Sequence, residues 1–166
     1  MLHVHVCARE AVERYGKRNV DYLISILADG IQAETPAWLM PERHLRFTFA
    51  DVETESVSGG PTRNDMMRLI GFGNRVCSEN ADVTVLLHCA AGVSRSPAAA
   101  FILLAACLGP GREQDAMKKT AENCESRLIQ PNILMVRYAD SILERGGSMI
   151  RVVQDWRSRS FFNFFA

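Results

Sequence analysis

The chain has 166 residues, 48% of them apolar and 23% charged, and its 19 basic and 19 acidic side chains leave a formal net charge of zero. That length suits one domain with a proper core, and the composition is that of an ordinary globular protein. The charge balance excludes a global basic field for nucleic acid or an anionic membrane, so any anion chemistry has to be local.

No run approaches the roughly 18 apolar residues needed to span a bilayer. The first residues, MLHVHVCAREAVERYGKR, also lack the long apolar core of a signal peptide. The five cysteines (Cys7, Cys77, Cys89, Cys107, Cys124) are scattered, with no close pair. They read neither as a disulfide framework nor as a zinc site, and a reducing cytoplasm is the expected setting.

In chain order, Leu2–Cys7 alternates His with Val as a short strand does, with His3 and His5 on one face. No third ligand accompanies them, so no metal is expected. AREAVERYG reads as a short helix with Gly16 as its C-terminal cap. VDYLISIL, Val20 to Leu27, reads as a buried strand, and residues 31–43 as a loop with one helical turn. HLRFTF, His44 to Phe49, alternates again, with Leu45, Phe47 and Phe49 on one face.

The acidic, glycine-containing stretch ADVETESVSGGP follows, a surface loop able to move, carrying Asp51, Glu53 and Glu55. Thr62 to Asn80 has a helical stripe of Met66, Leu69, Ile70, Gly73, Val76 and Cys77, weakened by Gly71 and Gly73. Asp82 to Leu87 is a strand, and an apolar helix begins at Pro97 and stops at Gly109-Pro110-Gly111. Two more helices are expected, Arg112–Cys124 and Asn132–Arg145, the second ended by Gly146-Gly147. Strands alternating with helices predict an α/β domain around a mostly parallel twisted sheet of four to five strands. Residues 1–150 form that domain, and 151–166 are an aromatic-rich tail whose phenylalanines either pack on the domain surface or meet a partner or membrane surface.

The chemistry concentrates in HCAAGVSRSP, His88 to Pro97, between strand and helix. Ala90, Ala91, Gly92, Val93 and Ser94 are compact enough for successive backbone N–H groups to curl around one anion. The following helix adds its own unpaired N–H groups and the positive end of its dipole. Arg95 offers a planar fork for two phosphate oxygens. In that field the Cys89 thiol should ionise below its free pKa of about 8.5 and attack phosphorus. His88 steadies the cysteine's surroundings, and Ser96 can donate to the sulfur as it leaves. Expelling an alcohol needs an acid, for which Asp51 is the first candidate and Glu53 and Glu55 the next; Asp65 belongs to the first turn of a helix. Loop and Arg95 supply the charge stabilisation that a metal would otherwise give, so no cofactor is called for. The other cysteines, Cys7, Cys77, Cys107 and Cys124, read as core or inert thiols, with a redox partner for Cys89 among them as the alternative.

HCAAGVSRSP resembles the signature loop of the cysteine-dependent protein tyrosine phosphatases in its small dual-specificity form: His, Cys, two residues, Gly, two residues, Arg, then Ser or Thr. A group of small bacterial predicted tyrosine phosphatases shows the same pattern. The resemblance implies a dual-specificity-phosphatase-like fold and a phosphorylated protein or small phosphate ester as substrate. It gives Cys89 the role of nucleophile, Arg95 that of phosphate clamp and Asp51 that of general acid. RLIQPN, Arg127 to Asn132, is similar to the family's Arg…Pro-Asn segment, which implies that Pro131 and Asn132 pack the last helix against the loop. The lysine-free loop interior departs from the lipid-phosphatase form.

Overall fold

The stretches read as strands pair into one sheet in the computed structural model, which describes residues 1–78 and 81–164, with side chains through Arg159. Its four strands are β1 (Leu2–Ala8), β2 (Tyr22–Leu27), β3 (His44–Thr48) and β4 (Val83–Cys89), all parallel, in the order β1-β4-β2-β3. The last residues of β4 lie beside Ala8 on one flank (Ala8 opposite Cys89) and Ser25 on the other (Ser25 opposite His88). Cys89 therefore emerges at the carboxyl end of an inner strand, where parallel α/β sheets form their ligand crevices.

Side-chain alternation divides the two faces. Val4, Val6, Ile24, Ile26, Phe47, Val85, Leu87 and Cys89 belong to the larger core, which five helices cover. These are α1 (Arg63–Ser78), α2 (Arg95–Leu108), α3 (Glu113–Glu122), α4 (Ile133–Ile142) and α5 (Ser148–Phe164). α2 is buried all round from Ala98 to Ala105, which is why its sequence shows no polar stripe. The opposite face is thinner: Cys7, Leu23 and Leu86 pack under Ala11, Val12, Tyr15 and Leu39.

Several local expectations are corrected. Residues Arg9–Lys17 wind as a 3-10 helix rather than an α-helix. Gly16 is not a left-handed cap; a Cβ there would come within 2.7 Å of Trp38, so its smallness admits the indole. Asp65 does sit in the first turn of α1, exchanging bonds with Thr62: its carboxylate accepts from the Thr62 N–H (3.0 Å) and hydroxyl (2.6 Å), and its own N–H donates to that hydroxyl (3.2 Å). Cys77 and Cys107, expected as inert thiols, are joined by a disulfide with Cα atoms 5.8 Å apart. The cause lies one turn earlier on each helix, where Gly73 lets Leu103 approach so closely that a Cβ would sit 2.9 Å from its Cδ2.

From Ser148 to Phe164 the chain is helical. Met149, Val152 and Val153 of α5 are buried in the main core, and the Asp140 carboxylate of α4 caps the start of α5 by accepting from Gly147 (2.7 Å) and Met149 (3.0 Å) N–H. The phenylalanine side chains expected to pack or dock lie outside the described residues. Among the described residues no helix is long and apolar enough to cross a membrane.

Candidate active site

The loop from Ala90 to Ser94 is shaped by what grips its carbonyl groups. The Ala90 carbonyl accepts from Arg9 N–H (3.1 Å), that of Val93 from Gln130 N–H (2.8 Å), and that of Ser94 from Asn132 N–H (3.2 Å). The imidazole Nδ1 of His88 faces the Cys89 carbonyl at 3.3 Å. A trans peptide points its N–H opposite to its C=O. Four outward carbonyls thus turn the N–H groups of Ala90, Ala91, Ser94 and Arg95 the other way, the arrangement of an anion nest. Gly92 is required twice over. Its φ is +71°, and a Cβ would meet the Cys7 carbonyl group at 2.7 Å, so β1 backbone closes the loop from below.

The Cys89 sulfur lies within this ring, nearly fully buried. Burial alone would raise its pKa. The Ser96 hydroxyl, donating at 3.1 Å, outweighs burial together with the N–H groups of Ser96 and Gly92 and the charge of Arg95, so the thiol is held below its ordinary value. The other free cysteines go the opposite way. Burial, reinforced by Glu125, pushes Cys7 to about 12, and burial with the Cys89 charge pushes Cys124 to about 12.

Arg95 is anchored by one arm: its Nη1 donates to the Phe49 carbonyl at 2.9 Å. Its Nε is buried and has no hydrogen-bond partner among the described residues. An orphaned guanidinium N–H costs about 1–3 kcal/mol or more, and an oxyanion in the nest would satisfy it.

Asp51 reaches the same rim from the loop after β3. Its Oδ1 accepts from the Ser94 hydroxyl (2.7 Å) and the Asn132 side-chain amide (2.8 Å), while Oδ2 stands 4.0 Å from Arg95 Nε. Sequence reasoning gave Asn132 a packing role only, and its contact with Asp51 was missed. The Asn132 side chain caps α4 through Met135 N–H (3.0 Å) and donates to the Val52 carbonyl (3.0 Å), so one fully buried amide ties acid loop, signature loop and helix together. The other two acid candidates are held elsewhere. Glu53 is gripped by both arms of Arg157 from α5 (2.7 and 3.2 Å), and Glu55 lies toward Tyr138, whose phenol is raised above its usual range by burial and then by the Glu55 carboxylate. Nothing in the sequence of the tail pointed to Arg157.

No family model and no curated protein sequence matches the chain. Solved structures do match it. The PTP-2 phosphatase of Cydia pomonella is 19% identical, with a TM-score of 0.60 over 84% of each chain. Human DUSP28 is 14% identical, with a TM-score of 0.59 over 85% of this chain and 91% of that one. The human tyrosine phosphatase-like serine/threonine/tyrosine-interacting protein is 19% identical, with a TM-score of 0.58 over 82% and 84%. The chain thus has the α/β fold of the small tyrosine and dual-specificity phosphatases, as its signature loop led one to expect.

Proposed function

We propose that the chain is a cysteine-dependent phosphatase that hydrolyses phosphate monoesters without a metal. Its substrates on this reading are phosphotyrosine side chains of proteins, with phosphoserine and phosphothreonine as further substrates. In the first step the Cys89 thiolate attacks phosphorus, the P–O ester bond breaks, and Asp51 gives its proton to the leaving oxygen. In the second, water attacks the phospho-cysteine, Asp51 takes a proton from that water, and the P–S bond breaks to return the thiolate, to which Ser96 donates. The loop N–H groups and Arg95 hold the charge on the transferring phosphoryl group through both steps.

The observation that supports this most is the carboxylate at the rim. A module that merely binds phosphate needs neither a lowered thiol nor an acid, yet Asp51 is held to the loop itself at Ser94. Both of its short bonds fall on Oδ1, which leaves Oδ2 as the oxygen that carries the transferable proton.

Asp51→Asn tests the assignment. General acid catalysis contributes about 10²–10⁴-fold, so turnover of alkyl phosphates should fall by that order. Aryl phosphates with good leaving groups should suffer far less. Equal, unchanged rates on both classes would remove Asp51 from the acid role.

A further inference from the structure

The signature histidine does not stand alone. On the thin face of the sheet, opposite to the Cys89 side chain, the Ser25 hydroxyl of β2 lies 2.5 Å from His88 Nε2 and 2.7 Å from His44 Nε2 of β3. His44 Nδ1 lies 2.9 Å from the Thr35 hydroxyl, which the exposed Arg46 guanidinium reaches at 2.5 Å. Ser25, His44 and His88 are all buried, and Thr35 is half-buried.

Hydrogen-bond inventory gives this row a direction. A carbonyl only accepts, so His88 Nδ1 carries the hydrogen that faces Cys89, and a neutral imidazole then has its lone pair at Nε2. Ser25 has one hydroxyl hydrogen and must spend it there. Its oxygen then accepts from His44 Nε2–H, which leaves the His44 lone pair at Nδ1, and Thr35 donates to that. The Thr35 oxygen accepts in turn from Arg46, which has donors only. Both imidazoles being neutral agrees with burial, which lowers each of them; Arg46 and His88 add to this at His44, and Arg9 at His88, where the Cys89 carbonyl and Glu10 oppose it.

We propose that Arg46, Thr35, His44 and Ser25 form a one-way hydrogen-bond relay that locks His88 in its Nδ1–H tautomer, making Ser25 and His44 positioning residues for Cys89. The proposal rests on Cys89 being the nucleophile. The relay acts through the Cys89–Ala90 peptide. With its carbonyl held by His88, that peptide aims the Ala90 N–H the other way. Without the Ser25 hydroxyl the imidazole is free to turn a lone pair toward that carbonyl, and the base of the nest loses its anchor. The same donors, all pointing toward Cys89, favour negative charge on the sulfur.

The test uses the whole 166-residue chain, and the two readouts of the relay itself need no phosphate ester. Imidazole ¹⁵N shifts separate protonated from unprotonated ring nitrogens and so read the His88 tautomer directly, while iodoacetamide alkylation across pH reads the Cys89 thiol. In the wild type His88 should carry its hydrogen at Nδ1. Ser25→Ala, which removes one oxygen and adds nothing, should mix the tautomers and lower the thiolate fraction about tenfold at a given pH below the thiol pKa. Thr35→Val should act in the same direction but less, with Thr35→Ser restoring wild-type behaviour. A purely structural role would lower stability without moving tautomer or alkylation profile. A wild-type Nε2–H tautomer, or a Ser25→Ala profile that overlays the wild type, overturns the relay. If phosphatase activity is lacking while these shifts occur, the relay stands and the functional reading falls; Cys89-dependent turnover with no shift gives the reverse.

Discussion

Asn132 is the side chain on which helix, acid loop and signature loop meet, and two substitutions separate what it does. Its Oδ1 caps α4 and its amide bonds the Asp51 carboxylate and the Val52 carbonyl. Asn132→Ser keeps a good N-cap, whereas Asn132→Ala loses it, a difference of about 1 kcal/mol. Both variants lose the amide. A bond to a charged group contributes about 1.5–3 kcal/mol and one to a neutral carbonyl about 0.5–1.5. Asp51 is 40% exposed, so water compensates part of the first. The expected losses are about 2 kcal/mol for Ser and about 3 for Ala, read by urea denaturation. The catalytic consequence should follow the amide and not the cap. Both variants should slow alkyl phosphates more than activated aryl phosphates, and by similar factors. If Asn132→Ser retains wild-type turnover of alkyl phosphates, Asn132 does not position Asp51, and the reasoning from its contacts fails.

Three further outcomes follow from the same geometry. Near neutral pH one equivalent of iodoacetamide should label Cys89 and spare Cys7 and Cys124, whose thiols are pushed up to about 12; labelling of all three at similar rates, read by peptide mass, would contradict the assigned environments. The Cys77–Cys107 bridge spans 30 positions, for which the chain-entropy relation gives about 3–4 kcal/mol, so a reductant should lower the Tm of wild type and leave the Cys77→Ser, Cys107→Ser double variant unmoved. Burial first, then Arg46 and His88, depress His44 from 6.5 to about 4. The unfolded state therefore binds more protons between those values, and stability is present in full above pH 6.5 and lost as pH falls toward 4. The upper bound is about 3 kcal/mol, and the loss should shrink in His44→Gln when folding free energy is followed across that window.

The sheet was legible because its signals are local: alternation in HLRFTF and an apolar run in LISIL, interrupted only by Ser25, are two-residue and burial patterns that need no tertiary information. The signature loop was legible for a related reason, since Cys89 to Ser96 is one contiguous turn whose small residues and arginine declare an anion site. Asp51 was already the first candidate from its place after the strand, but the contacts that hold it at the rim and turn Glu53 away involve partners remote in sequence, Asn132 and Arg157. The disulfide stayed hidden because Cys77 and Cys107 meet only through the close approach of α1 and α2 at Gly73. A helix at Arg9–Lys17 was legible in its apolar spacing but its 3-10 winding was not, and α5 was missed because its stripe is weak and docking onto the core stabilises it instead. Ser25 and His44 look like ordinary strand residues until register puts Ser25 opposite His88.

The central claim is a covalent bond between Cys89 and phosphorus. It is tested most directly by mixing the protein with an aryl phosphate in the presence of a chelator, quenching in acid during turnover, and weighing the peptide that carries Cys89. The account predicts phosphate on Cys89 and turnover that vanishes in Cys89→Ser. Turnover that survives Cys89→Ser, or rapid turnover with no phosphate ever found on Cys89, would contradict it.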